Sequence, residues 1–245
     1  MSFDRATAGT GIGAEPAAAP GHVAATSTSA SLRLQILATE HWSLLASRSL
    51  AWNESFSRAA MFLSTLSGAI VALALVAQAS AFGDTFTLFA LVILPIVLFI
   101  GLATFIRLGA TNYHELMCVT GMNRIRAAYL ELAPDLERYF VTSAHDDPRG
   151  VSISMAVPYT SAMPLVHLLA AAPTVILVLN CVILGAIASL AALRSGFTAP
   201  VILAAGAVGF VIGLVAQGLS ARRGIAGARG RLRPLFPHPT DANNR

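Results

Sequence analysis

Two groups of residues carry side chains that could bind a metal ion. His114 and Cys118 are one helical turn apart, and residues 145–147, His-Asp-Asp, are adjacent. A zinc site needs three or four ligands that converge on one point, and neither group supplies a convincing set. Cys118 and Cys181 are the only two cysteines and form no CxxC pair, which also argues against a redox dithiol. We therefore predict no metal site and no cofactor.

Asn180 is the polar residue that lies deepest in an apolar run, VILVLNCVIL. An amide in the middle of a membrane is costly unless it finds a hydrogen-bond partner. Two interpretations remain open: Asn180 is a polar point on a pore or ligand site, or it makes a hydrogen bond between helices that fixes their packing. Gln78 and Gln217 are the other intramembrane polar residues considered, and we interpret both as interfacial side chains.

The sequence contains no signature of an enzyme active site. GxSxG, HExxH, P-loop and GxGxxG patterns are all absent from it. No Asp, Glu or Arg lies within a predicted membrane span, although proton-coupled carriers normally use an intramembrane carboxylate. We therefore predict no catalytic residues, and neither an enzyme nor a proton-coupled carrier.

The composition predicts that the lipid bilayer is the solvent of this chain. Of 245 residues, 56% are hydrophobic and only 11% are charged, whereas a soluble domain carries charge on about a quarter of its residues. The 16 basic side chains are all arginines, and the net charge is +4. The Arg-rich stretch after the last span is first a topology signal, and its second interpretation is binding of anionic lipid. We predict no nucleic-acid partner.

Four apolar segments are long enough to be transmembrane helices, which need about 20 residues. Their predicted limits are 60–80, 85–106, 168–191 and 198–219. The turn between the first two spans carries Asp84, and the turn between the last two carries Arg194, whereas arginines accumulate on the other side. That excess assigns the arginine-rich side to the cytoplasm. We predict an all-α membrane protein with two transmembrane hairpins, in the bacterial cytoplasmic membrane, with both termini cytoplasmic.

The organisation of the chain follows from these spans. The leader has almost no large apolar residues and cannot bury enough surface to fold. Pro95 and Pro173 lie inside the second and third predicted spans and are expected to kink them. The predicted regions are a disordered leader at 1–30, an amphipathic cytosolic helix continuous with span one at 31–58, hairpin one at 59–108, a cytosolic helical segment and loop at 109–163, hairpin two at 164–220, and a basic disordered tail at 221–245.

An amphipathic pattern leads into span one. Two interpretations remain open for its interfacial anchors, Trp42 and Trp52: they lie among lipid headgroups, or their side of the helix packs on the second amphipathic helix, 111–140, within or between subunits. The mixed charges of the second helix favour packing. The apolar stripe, which recurs every three or four residues and is interrupted only by Ser49, consists of Leu34, Ala38, Trp42, Leu45, Trp52, Phe56, Ala60 and Leu63.

Small residues at a spacing of four predict close packing of transmembrane helices. Contacts within one subunit and contacts between subunits both remain open. The predicted packing residues are Ser64, Gly68 and Ala72 in span one, Gly185 in span three, and Ala205, Gly209 and Gly213 in span four.

Two stretches carry a resemblance to known proteins: LATEHWSLLASRSLAWNESFSRAAMFLSTLSGAIVALALVAQAS and GMNRIRAAYLELAPDLERYF. They resemble an uncharacterised family of four-span membrane proteins of high-GC bacteria, over most of residues 32–220. The amphipathic helix leading into a hairpin is also similar in architecture to the two-span SLATT modules, which are proposed pore-forming effectors. The resemblance implies no substrate, cofactor or catalytic residue.

These observations predict a non-enzymatic interaction or scaffold protein that self-associates as a homo-oligomer in the lipid bilayer. The alternative is an oligomeric ion channel or pore, lined by Ser64, Ser67, Thr174 or Asn180.

Overall fold

The fold is known from a computed structural model, which describes residues 20–156 and 172–239. All regular elements in that part of the chain are helical, which confirms the predicted all-α class. Residues 1–19, 157–171 and 240–245, with the corresponding parts of the predicted leader, hairpin two and tail, lie outside the described residues. The elements are α1 Pro20–Ser80, α2 Asp84–Leu132, a 3₁₀ helix Pro134–Tyr139, α3 Pro148–Ser154, α4 Ala172–Arg194 and α5 Ala199–Arg231.

Four helices are long and apolar enough to cross a membrane, which fits an integral membrane protein. They are Ser29–Ser80, Asp84–Leu132, Pro173–Arg194 and Ala199–Gly224. They cover the predicted spans apart from the first few residues of the third. α1 begins far before its apolar run and α2 continues far beyond its own, because helix-forming sequence adjoins each run without a break. In α1, no Gly or Pro occurs between residues 31 and 67.

Both short turns between consecutive membrane helices use left-handed backbone conformations. After α1, Ala81 and Phe82 have φ values of 46° and 59°, which cost more for these residues than for glycine. After α4, the residue with the left-handed conformation is Gly196, with φ 77°. An ion pair of 2.8 Å joins Asp84 to Arg194, so the two turns lie at the same end of the helices.

The core lies where the apolar parts of α1, α2 and α4 meet. Buried side chains there include Phe62 on α1, Leu94 and Val97 on α2, and Ile176 and Ile183 on α4. α4 and α5 pack most closely, and α2 packs on α4. In lipid these contacts stabilise through packing rather than through removal of apolar surface from water.

The tail differs from the sequence-based expectation, whereas Pro95 lies where the sequence predicts it. Pro173 belongs to α4. Residues 157–171, immediately before α4, lie outside the described part of the chain, so the kink predicted at Pro173 stays a prediction. Pro95 does lie inside α2. Beyond span four, α5 continues to Arg231, and residues 232–238 form a bent, non-helical segment hydrogen-bonded to the loop before α3. We predicted a disordered tail from residue 221, because amino-acid composition does not indicate binding that is made through main-chain atoms.

The fold divides into two compact units between Glu40 and His41. The second unit, from His41 onward, contains the helix–helix contacts that form the candidate site.

Candidate functional site

The polar side of α1 faces α2 beyond the membrane-spanning part. Arg48 donates to the Glu115 carboxylate from Nε (3.1 Å) and from Nη2 (2.8 Å). At the adjacent positions, Ser47 Oγ and His114 Nε2 are 2.9 Å apart. Arg48 contacts Glu115, and further along α1 Glu54 contacts Arg107, so residue numbers rise along α1 as they fall along α2 and the two helices run antiparallel here.

A carboxylate shared by two arginines lies closer to the membrane. Glu54 accepts from Arg107 Nε and Nη2, both at 2.9 Å, and from Arg58 Nε at 2.9 Å. Glu54 and Arg58 are four residues apart, which places them on one face of α1. Arg107 on α2 adds a bidentate bond of the kind that fixes orientation as well as distance. The three side chains remain substantially exposed.

Within the second unit, the apolar stripe of α1 is exposed from Trp42 to Phe56. Trp42 is 71% exposed, Leu45 42%, Trp52 46% and Phe56 62%. The stripe therefore does not pack on the second amphipathic helix of the same chain. The cause is that other positions of α1 carry Ser47, Arg48 and Glu54, whose polar and charged groups contact partners on α2.

The apolar side of α2 is covered by a different set of residues. Met122 and Ile125 are buried, and Met122 packs in a small cluster with Val119, Val151 and the partly buried Leu44 of α1. Gly121 makes room for that leucine, since an added Cβ would lie 2.8 Å from a Leu44 methyl group.

An open cleft of about 490 Å³ lies between α1 and α2 at the level of these polar contacts. Its walls include Ser47, Glu54, Arg107 and His114. Ser47 and His114 form a hydroxyl–imidazole pair, but the same His114 nitrogen also contacts Cys118 Sγ at 3.6 Å. Nucleophilic catalysis needs a base that is held by a third group on its other side. We therefore interpret the pair as a link between helices.

The 145–147 loop, whose side chains were considered as metal ligands, is occupied by the segment 233–238. Asp146 accepts from the Leu235 and Phe236 amides and from Arg124 Nε, all at 2.8–3.0 Å. Burial opposes its ionisation, but these donors outweigh burial and hold the pKa of Asp146 below its ordinary value. Within the described residues, no three His, Cys, Asp or Glu side chains converge as metal ligands would.

Asp147 is held in the same way. It accepts from the Gly150 amide at 2.7 Å, which caps α3, and from the His238 amide and ring Nδ1 at 2.7 and 2.6 Å. Burial again opposes ionisation, and the Gly150 and His238 donors outweigh it, so the pKa of Asp147 is also lowered.

The intramembrane polar residues form a buried pair. Asn180 donates through Nδ2 to Gln217 Oε1 at 3.1 Å, and Gln217 donates to the Gly213 carbonyl at 3.3 Å. Both side chains are buried among the helices. The Asn180 Oδ1 atom lies against Gly101, and it has no hydrogen-bond partner among the described residues. Gln78 is exposed on α1.

Some of the predicted packing residues lie against a neighbouring helix, and others do not. A Cβ added at Gly185 of α4 would lie 2.9 Å from the Gly206 carbonyl oxygen. A Cβ added at Gly209 of α5 would lie 3.0 Å from Ala188 Cβ. Gly213 is similarly close to Cys181, and Ala205 is partly buried. On α1, Ser64 is exposed and Ala72 is partly buried, whereas a Cβ added at Gly68 would meet nothing within 4 Å.

Comparison of the chain with models of protein families, with curated proteins and with solved structures found no match.

Proposed function

We propose that this chain is a non-enzymatic, self-associating interaction protein of the bacterial cytoplasmic membrane. In this proposal the four spans form two hairpins with both termini in the cytoplasm. The observation that carries it is the outward stripe of α1, which exposes Trp42, Leu45, Trp52 and Phe56. Contiguous exposed apolar residues on a folded chain mark a surface that binds protein or lipid.

The depth of the stripe favours a protein partner over lipid for its outer part. Arg58 is the last charge before span one, so it marks the membrane boundary. At about 1.5 Å per residue, Phe56 lies about 3 Å beyond it and Trp42 about 24 Å beyond it. The headgroup layer is only about 5–8 Å deep. Because α1 runs along α2 over this length instead of turning onto the membrane, lipid reaches Phe56 but not Trp42.

A second copy of the chain is the partner that this geometry favours. Trp42, Leu45, Ser49, Trp52 and Phe56 follow the alternating three- and four-residue spacing of a helical seam. Every copy inserts in the same direction, so the stripes of two copies lie at the same depth and in parallel register. No further alignment is needed for them to meet.

The lipid bilayer remains the other partner. Arg222 and Arg223 are exposed just after the apolar part of α5, where anionic headgroups would lie in the proposed topology. This position supports a contact with anionic lipid, worth about 1 kcal/mol for each arginine near the surface.

The test is the subunit count by native mass spectrometry in mild detergent, for the wild type, Leu45→Glu and Leu50→Glu. Leu45 is on the stripe, whereas Leu50 is on α1 outside it and is more exposed, at 70% against 42%. We expect the wild type and Leu50→Glu to form the same oligomer and Leu45→Glu to form monomers. A monomeric wild type, or equal effects of the two substitutions, would contradict the proposal.

An oligomeric channel is the second candidate. It is favoured by Ser64, Ser67 and Gln78, which are exposed on the membrane-spanning part of α1, where contact with lipid tails is unfavourable. Asn180 gives this candidate no support, since it is buried against Gln217. Ion flux into vesicles containing the protein tests it: Ser67→Leu would reduce a flux through an α1-lined pore, and Asn180→Leu would not.

A further inference from the structure

The segment 233–238, RPLFPH, is bound to the 145–147 loop chiefly through its main chain. We propose that this loop, with Arg124 of α2, is a peptide-binding site for a partner protein. Its ligand would be a bent, proline-containing peptide, and the chain's own 233–238 segment would be its resident intramolecular competitor. The proposal does not depend on self-association through α1.

The loop contacts main-chain donors and acceptors along the whole segment. Asp146 accepts the Leu235 and Phe236 amides, and Asp147 accepts the His238 amide. In the other direction, the Asp146 amide donates to the Phe236 carbonyl at 3.2 Å, and Arg124 donates to the Arg233 carbonyl at 2.8 Å. Two consecutive amides folded around one carboxylate form an anion-binding nest.

The prolines of the segment stand where no amide is needed. Residues 234 and 237 are the two positions between 234 and 238 without an N–H, and every remaining amide in that range is accepted by a carboxylate. Each proline also fixes its own φ, so a peptide of this pattern loses less conformational entropy when it binds.

Side chains define the rest of the ligand class. Leu235 is 63% exposed, so the site does not select for its side chain. The site does select for His238, because its Nδ1 lies 2.6 Å from Asp147 Oδ2 and its ring centroid lies 3.9 Å from that of His145. The site therefore selects the pattern proline, any residue, an amide donor, proline, histidine.

The site needs an occupant, and the resident segment can leave. The Asp146 and Asp147 side chains are 0% and 3% exposed, and a buried carboxylate is costly when its donors are removed. The segment is attached to the end of α5, which has glycines at 224, 227 and 230. Glycines in a helix favour unwinding, and unwinding there would release the segment for exchange.

The experiment measures binding of a fluorescein-labelled acetyl-RPLFPH-amide peptide to the full chain in detergent by fluorescence polarisation. Phe236→Pro removes one amide that Asp146 accepts, which weakens the resident segment and leaves the site intact. We expect this variant to bind the peptide about tenfold more tightly than the wild type. Leu235→Ala keeps the amide and should bind as the wild type does.

Two further samples make the outcome decisive. Asp146→Asn combined with Phe236→Pro should lose peptide binding, and His238→Ala is a milder way to weaken the resident segment if Phe236→Pro does not fold. Equal binding by the wild type and by both weakened variants would overturn the proposal. So would binding that survives Asp146→Asn, or no binding to either weakened variant at about 1 mM peptide, the effective concentration of a short tether. The segment would then be a structural cap only.

Discussion

The two pairs of consecutive membrane helices are held together in different ways. α4 and α5 meet backbone to backbone, with Gly185 against Gly206 and Gly209 against Ala188. α1 and α2 meet through long side chains, with Phe62 lying against Gly101 and Arg48 paired to Glu115. The first pair leaves its small residues no room for another helix, whereas the second leaves one side of α1 open.

This difference shows what a small-residue motif does not specify. Gly68 of α1 and Gly209 of α5 lie in motifs of the same kind, and the sequence predicted close packing for both. Only Gly209 is closed by a neighbour within the subunit. Whether such a motif acts within or between subunits depends on which side of the helix the rest of the fold covers.

The largest expected effect comes from replacing Gly209 with leucine, with the same replacement at Gly68 as the control. Gly209→Leu forces α4 and α5 apart and should cost about 3 kcal/mol of the free energy of unfolding. That corresponds to a fall in Tm of about 6–12 °C for a chain of this size. Gly68→Leu should leave the Tm of the monomer unchanged, because its Cβ meets nothing within 4 Å. Equal losses of Tm in detergent would remove the contrast between the two pairs.

A smaller effect is expected at the buried amide pair. Asn180→Leu leaves Gln217 Oε1 without its donor and should cost about 1–2 kcal/mol. Adding Gln217→Leu removes both polar groups and should recover part of the loss. Thermal unfolding of the single and double variants measures this coupling, and strictly additive losses would show that the hydrogen bond does not stabilise the fold.

The polar contact of α1 with α2 should be weaker still. Glu115→Gln removes the charge from a carboxylate that is only 12% exposed and should cost about 1 kcal/mol. Glu54→Gln, at a more exposed carboxylate, should cost less because solvent screens its arginines. A larger fall in Tm for Glu54→Gln than for Glu115→Gln would contradict this ranking.

The smallest global effect is expected from acid, which acts at the bound segment. Because the pKa values of Asp146 and Asp147 are lowered in the fold, their stabilisation is complete above the ordinary aspartate pKa of about 3.9. It is lost as pH falls through the lower folded values. Hydrogen exchange of the Leu235 and His238 amides, corrected for the intrinsic rate, should lose protection only in that acidic range. Loss of protection already near pH 6 would implicate other groups.

Much of the fold could be predicted from the sequence, because the charge-free runs 59–83, 85–106, 150–193 and 195–221 mark the spans directly. The orientation of α1 about its own axis could not, since hydrophobic patterning assigns the apolar side inward. Here Arg48 and Ser47 have specific partners 67 residues away, and single-sequence periodicity contains no information on such pairs.

The candidate sites were predictable only in part. Asn180 stood out as an amide within an apolar run, but its pairing with Gln217 could not be predicted, because depth along a helix does not show which residues face each other. The bound segment was missed for a different reason. Leu235 and Phe236 contribute their amides to Asp146, and main-chain recognition has almost no signature in residue types apart from the flanking prolines.

The most direct test of the central proposal is disulfide cross-linking in intact membranes, with Leu45→Cys compared with Leu50→Cys. The two native cysteines are buried, so they should contribute little background. Self-association through the stripe predicts that oxidation converts Leu45→Cys to a covalent dimer and leaves Leu50→Cys monomeric. Equal cross-linking at both positions, or none at position 45, would contradict the assignment of the stripe as the surface between subunits.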